Sequence, residues 1–158
     1  MKKIAVIYYS RGGATGKMAE LVAEGARSES GVDVDVCNVV GLSEDKLLAY
    51  DGVILGSPTY YASMAGEMKD FLDRTVKFHG QLDGKVGAAF TSAANIGGGN
   101  ETTIRGILDA LLVHGMVVQG NPRGDHFGPV SIGNPDDRVR EQCRELGRRV
   151  AILTKQLG

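Results

Sequence analysis

The segment Tyr8-Tyr9-Ser10-Arg11-Gly12-Gly13-Ala14-Thr15-Gly16-Lys17 decides how the rest of the chain is read. Before it, Ile4-Ala5-Val6-Ile7-Tyr8 is a continuous apolar run of strand length. After it, Met18, Leu21, Val22, Gly25 and Ala26 recur at the helical period. A buried strand therefore passes into a helix through a glycine-rich turn. Glycines let the main chain approach a bound group closely and take positive φ. The N–H groups that open the helix, its dipole and the hydroxyls of Ser10 and Thr15 together make a cradle for a phosphate. The spacing excludes a Walker A loop, which would need glycine in place of Arg11 and a hydroxyl in place of Met18. It also excludes the dinucleotide pattern GxGxxG, because no three glycines here have that spacing.

Outward from this turn, strand and helix patterns alternate to the end of the chain. Val32-Asp33-Val34-Asp35-Val36 alternates apolar and acidic residues, as at a sheet edge, whereas Val53-Ile54-Leu55 and Val86-Gly87-Ala88-Ala89-Phe90 are apolar throughout, as in strands covered on both faces. Met116-Val117-Val118 is read as a short last strand. Helical periods run through Met64, Met68, Phe71, Leu72 and Val76, then Ile104, Ile107, Leu108, Leu111 and Leu112, then Val139, Cys143, Leu146, Val150 and Leu153. Five strands alternating with helices imply an α/β fold, a doubly wound parallel sheet with helices on both faces. At 158 residues and 42% apolar composition, one domain over 1–158 is expected.

A net charge of −1 speaks against nucleic acid as a partner. No apolar run is long enough to enter and cross a bilayer, and a cytoplasmic location is expected. The two cysteines, Cys37 and Cys143, and the three histidines, His79, His114 and His126, lack ligand spacing, so no metal is expected. The cysteines read as small packing residues.

In a sheet of this kind ligands bind beyond the carboxyl ends of the strands. Besides the first turn, two further strand-end loops matter. Gly56-Ser57-Pro58-Thr59-Tyr60-Tyr61-Ala62-Ser63-Met64-Ala65-Gly66 places two aromatics beside a proline, and on an extended segment consecutive side chains cannot both face inward. Thr91-Ser92-Ala93-Ala94-Asn95-Ile96-Gly97-Gly98-Gly99-Asn100 can lay backbone groups against the edge of a planar polar ring. A phosphate cradle, an aromatic wall and a backbone edge reader describe a site for a flat ring with one phosphate tail. FMN is the candidate.

These motifs, with Glu101-Thr102 and His114-Gly115-Met116 following in order, resemble the flavodoxin-like FMN proteins and, within them, the WrbA-type NAD(P)H:quinone oxidoreductases. The resemblance implies the flavodoxin-like strand order 2-1-3-4-5. It implies phosphate contacts from Ser10, Arg11, Gly12, Gly13, Ala14 and Thr15. Ring contacts are implied for Pro58, Thr59, Tyr60, Tyr61, Ser92, Ala93, Ala94, Asn95, Ile96, Gly97 and Gly98. His114 matches a histidine that reaches the flavin in that family; read from its position alone, it is a helix-end histidine facing terminal carbonyls. Phe78 and His79 fall near a segment that supplies a substrate-side aromatic. Phe127, in Asp125-His126-Phe127-Gly128-Pro129 between the last strand and the last helix, is a candidate for the same wall, or else a packed aromatic in a Gly/Pro loop.

The activity implied is hydride transfer from NAD(P)H through flavin N5 to a quinone, with no catalytic side chain because the flavin carries the chemistry. A homodimer or homotetramer is expected, since few bulky residues of this chain cover the ring. Two other functions fit the same site: a flavodoxin-type electron carrier between redox proteins, and a non-catalytic flavin-binding module. Carriers resemble one another in strong acidity and a large aromatic over the flavin. This chain is near neutral and has no tryptophan.

Overall fold

The computed structural model describes all residues, Met1–Gly158. In chain order the elements are β1 (Lys2–Tyr8), α1 (Ala14–Arg27), β2 (Val32–Asn38), a 3-10 turn (Glu44–Ala49), β3 (Gly52–Tyr60), β4 (Ser63–Met64), α2 (Gly66–Arg74), a second 3-10 turn (Thr75–Phe78), β5 (Val86–Ala93), α3 (Asn100–Val113), β6 (Val117–Val118), β7 (Val130–Ile132) and α4 (Asp137–Leu157). The sheet runs β2-β1-β3-β5-β6, with β4 paired to β3 and β7 paired to β5. All pairings are parallel except the β3–β4 hairpin.

The expected strand order holds, because β6 and β7 are two pieces of one fifth strand. Val117 and Val118 lie opposite Val86 and Gly87, whereas Val130, Ser131 and Ile132 lie opposite Thr91, Ser92 and Ala93. The reading of Met116–Val118 as the whole strand is corrected accordingly. The segment Gln119–Pro129 leaves the sheet between the pieces, so Asp125–Pro129 lies within the last strand's path and not after it. Gly128 rejoins the sheet where a Cβ would sit 2.0 Å from the Ala89 carbonyl oxygen, so only glycine permits that approach. The helix read from Met64 to Val76 begins at Gly66 and tightens into the 3-10 turn at Thr75, leaving Met64 in β4 and Val76 exposed.

The alternation of side chains along the strands builds two cores. Ala5, Ile7, Val53, Leu55 and Ala89 point to the face covered by α2 and α3, where Met68, Phe71, Ile104, Ile107 and Leu111 are buried. Ile4, Val6, Ile54, Ala88 and Phe90 point to the other face, under α1 and α4. Being apolar on both faces is what makes β1, β3 and β5 central. The Val/Asp alternation places β2 at the edge, with Asp33 and Asp35 exposed.

On the second face α1 and α4 meet backbone to backbone. A Cβ at Gly25 would lie 1.9 Å from the Arg144 carbonyl oxygen, and one at Gly147 would lie 1.8 Å from that of Val22. This contact seats α1, and hence its N-terminus, against β1. Gly147→Ala should therefore lower stability in urea denaturation by about 1 to 3 kcal/mol, although alanine is the better helix former. Gly66→Ala, whose methyl meets open space, should stay within about 0.5 kcal/mol of the wild type. Equal midpoints for the two variants would show that the helices separate without cost.

Candidate functional site

At the carboxyl end of the sheet, an open cleft of ≈ 380 Å³ lies between the β1–α1 turn and the ends of β3 and β5. Its lining includes Ser10, Arg11, Gly12, Ala14, Thr15, Pro58, Thr59, Tyr60, Ser92, Ala93 and Ala94. The volume falls in the range that accommodates a cofactor or drug-sized ligand.

The floor at the first turn is a set of backbone donors. Gly13, at φ 99°, precedes α1 and gives it no side-chain cap. The Gly13 N–H is taken by Ser10 Oγ at 3.1 Å, which fixes the turn. The N–H groups of Arg11, Gly12, Ala14, Thr15 and Gly16 have no acceptor in the chain. Those of Ala14, Thr15 and Gly16 belong to buried or half-buried residues and require a partner, which a dianionic phosphate at a helix N-terminus supplies. Nothing stands within 4 Å of the Cβ positions of Gly12 and Gly13, so the approach is clear. Thr15 is 2% exposed, and its hydroxyl lies 2.8 Å from Ser92 Oγ, which ties α1 to the end of β5. With Ser92 donating, the Thr15 hydrogen is free for the phosphate.

The second wall is more regular than a loop. Gly56 through Pro58 continue β3, paired with Phe90, Thr91 and Ser92. The missing N–H of Pro58 is tolerated because β1 ends opposite Gly56, so this side of β3 is an edge. Thr91 Oγ1 donates to the Ser57 carbonyl at 2.7 Å and therefore accepts from Thr59 at 2.8 Å. Tyr60 then pairs with Ser63 across a two-residue turn, in which Tyr61 and Ala62 take φ 47° and 64°. Two successive positive φ values define the hairpin turn that usually requires Asn-Gly, and here they cost of order 1–3 kcal/mol each. The strain is held by α3. Thr102 Oγ1 donates to the Ala62 carbonyl at 2.7 Å, and a Cβ at Gly99 would stand 2.2 Å from Ala62 Cα. Tyr60 is 36% exposed at the cleft mouth; Tyr61 points fully into solvent and does not line the cleft.

The third loop contributes Ser92, Ala93 and Ala94, and the N–H groups of Ala94 and Asn95 have no acceptor in the chain. Asn95, Ile96, Gly97 and Gly98 form an outer rim that does not line the cleft, because Asn100 turns it back on itself: Oδ1 accepts from the Gly97 N–H and Nδ2 donates to the Asn95 carbonyl. Gly133 and Asn134, which the sequence reading missed, close the side of the cleft. Asn134 Oδ1 accepts from Lys17 Nζ at 3.1 Å. The signal for them is the turn chemistry of Gly133-Asn134-Pro135-Asp136 ahead of the last helix.

Four expected residues lie elsewhere. α3 leaves the carboxyl end of β5 and returns over 14 residues, about 21 Å, to bring Val117 beside Val86 at the amino end. His114, at its end, is thus at the opposite pole from the cleft, as are Phe78 and His79, whose rings lie 6.2 and 5.9 Å from that of His114. Phe127, in the excursion between β6 and β7, stacks under Arg105 at 5.5 Å and does not line the cleft. His114 is 7% exposed. Thr75 Oγ1 spends its hydrogen on the Leu72 carbonyl at 2.6 Å and so accepts from His114 Nε2–H at 2.7 Å. This leaves Nδ1 as a buried lone pair without a partner. Burial, then the neighbouring His79, lowers the His114 pKa.

The family described as NADPH-dependent FMN reductase matches residues 38–123. The chain is 41% identical to a flavodoxin of Aquifex aeolicus, over 96% of this chain and 86% of that one. It is 35% identical to an NAD(P)H dehydrogenase (quinone) of Acidithiobacillus ferrooxidans, over 99% of both chains. In structure it is similar to a flavodoxin, WrbA-like protein from Agrobacterium tumefaciens, with a TM-score of 0.84, 30% identity and full coverage of both chains. The orphaned amides, the clear glycine floor and the paired hydroxyls of the cleft fit FMN.

Thr15→Val removes a donor to a charged group and should weaken FMN binding by about 1.5 to 3 kcal/mol in fluorescence titration. Gly13→Val should weaken it as well, by forcing a β-branched residue to positive φ. Wild-type affinity in both would make the turn purely structural. At the other pole, a lowered folded-state pKa means the native protein binds fewer protons than the unfolded chain. The stability margin of wild type over His114→Gln should accordingly be full above the ordinary histidine value of 6.5 and shrink as pH falls through it. Urea midpoints measured from pH 8 downward check this, and a constant margin would contradict it.

Proposed function

The chain belongs to the flavodoxin-like FMN-binding oxidoreductases, and on that premise we propose that it is a NAD(P)H:quinone reductase. Bound FMN supplies the acceptance and return of two electrons. The protein's part is to bind and orient. The amides of Arg11, Gly12, Ala14, Thr15 and Gly16, with the Thr15 hydroxyl, hold the phosphate tail. Pro58, Thr59 and Tyr60 form a wall that fixes the ring plane. The free N–H of Ala94, which lines the cleft, would meet the ring's polar edge and favour negative charge on it.

The observation that carries this reading over an electron carrier is the charge at the mouth. Arg11 and Lys17 are both exposed there, and neither is ion-paired with a carboxylate. An anionic nicotinamide dinucleotide meets complementary charge at such a mouth. The wide opening admits a second planar ring against the first. The carrier reading draws on the relative named flavodoxin and on the compactness of the chain.

Anaerobic addition of NADPH or NADH to the FMN-loaded protein should bleach its yellow absorbance, and a benzoquinone should restore it with repeated turnover. Failure of both nicotinamides in excess, with ready reduction by a small chemical reductant, would transfer the assignment to the carrier.

A further inference from the structure

We propose that Arg11 receives a phosphate of the nicotinamide donor at the mouth of the cleft. The assignment rests on the reductase reading above and goes beyond it by naming a residue that selects the donor. Although Arg11 belongs to the phosphate turn, its side chain reaches the opposite wall of the cleft. The guanidinium carbon lies 5.8 Å from the centroid of the Tyr60 ring, on the hairpin that forms the other wall. The guanidinium sits over the Tyr60 ring, the Tyr9 hydroxyl lies within hydrogen-bonding reach of it, and its remaining N–H donors have no acceptor among the hydrogen bonds of the chain. No carboxylate lies within ion-pair distance, Glu67 being near enough only to add to the surrounding field. Lys17, the other cation at the mouth, is already engaged with Asn134.

A planar cation set over an aromatic ring, with N–H donors left over along its edge, is the arrangement that takes a phosphate through two parallel hydrogen bonds. The FMN phosphate has its own donors in the amides below. The donor's ring must lie against the flavin, so its phosphates cross the mouth on the way out to solvent. The strained turn at Tyr61 and Ala62, clamped by Thr102, keeps Tyr60 and therefore the guanidinium from drifting.

The test compares wild type, Arg11→Gln and Arg11→Lys, each loaded with FMN, in steady-state reduction of a benzoquinone by NADH and by NADPH. Arg11→Gln should raise KM for the donor about tenfold with kcat and the FMN dissociation constant little changed. Arg11→Lys should recover part of the loss, since it keeps the charge and loses the fork. Added salt should raise the wild-type KM and leave that of Arg11→Gln nearly flat. A rise for both donors assigns the contact to the bridging diphosphate, and a rise for NADPH alone assigns it to the 2′-phosphate. A KM for both donors within twofold of wild type overturns the proposal while leaving the reductase reading intact. A dissociation constant for FMN that rises in step with KM also overturns it, returning Arg11 to the cofactor's phosphate. If neither nicotinamide reduces the wild type, the reductase reading fails and the proposal fails with it.

Discussion

The site depends on a row of backbone donors that the fold leaves without acceptors at the start of α1. A helix N-terminus must find partners for its first N–H groups. Here Gly13 offers no capping side chain, and Ser10 satisfies only one amide. The remaining donors are left at one helix N-terminus, which makes that end of the sheet suited to an anion before any ligand is considered. Their position is set by what lies behind them. β1 is buried on both faces, and α1 is pressed onto α4 through Gly25 and Gly147 so closely that no side chain fits between the backbones. Rigidity beneath the turn is what allows a few amides to act together.

The walls are fixed by hydroxyl groups at the strand ends. Thr15 with Ser92, and Thr59 with Thr91 and the Ser57 carbonyl, satisfy one another across elements and leave little rotational freedom. Small networks of paired hydroxyls are compatible with burial, whereas a hydroxyl with no partner at all would cost stability. The β3–β4 hairpin shows the opposite economy. It holds two non-glycine residues at positive φ, and α3 over-determines them through Thr102 and Gly99. Local strain at the rim is thereby converted into a fixed aromatic ring at the mouth.

The resemblance that pointed to the cofactor also pointed to His114, Phe78 and His79, and within one chain the geometry separates them from the cleft. The parallel topology explains the difference. Any helix that connects parallel strands returns to the amino end of the sheet, so residues at its carboxyl end occupy the pole away from the ligand. The His114 ring there is bonded to Thr75 and packed by Phe78, a buried polar contact within the core that leaves one nitrogen unsatisfied.

What the sequence by itself determined was carried by contiguous residues. The apolar runs identified the central strands, the Val/Asp alternation identified the edge, and Ser10 to Gly16 announced a phosphate turn, because periodicity and glycine placement act within a few residues. The strand order followed from the alternation of elements together with the resemblance. Only the tertiary structure decided the rest. The fifth strand divides because Val117–Val118 and Val130–Ile132 each find a different end of β5, a long-range pairing that two- and three-residue apolar stretches do not advertise. That same pairing brings Gly133 and Asn134 to the cleft, and the crossover of α3 takes His114 away from it. Arg11 was legible as part of the turn, but the direction of its side chain was not. That direction depends on Tyr60, almost fifty residues later, and on a hairpin whose conformation is imposed by a helix further on still. Local chemistry wrote the cradle, and contacts between distant segments chose what surrounds it.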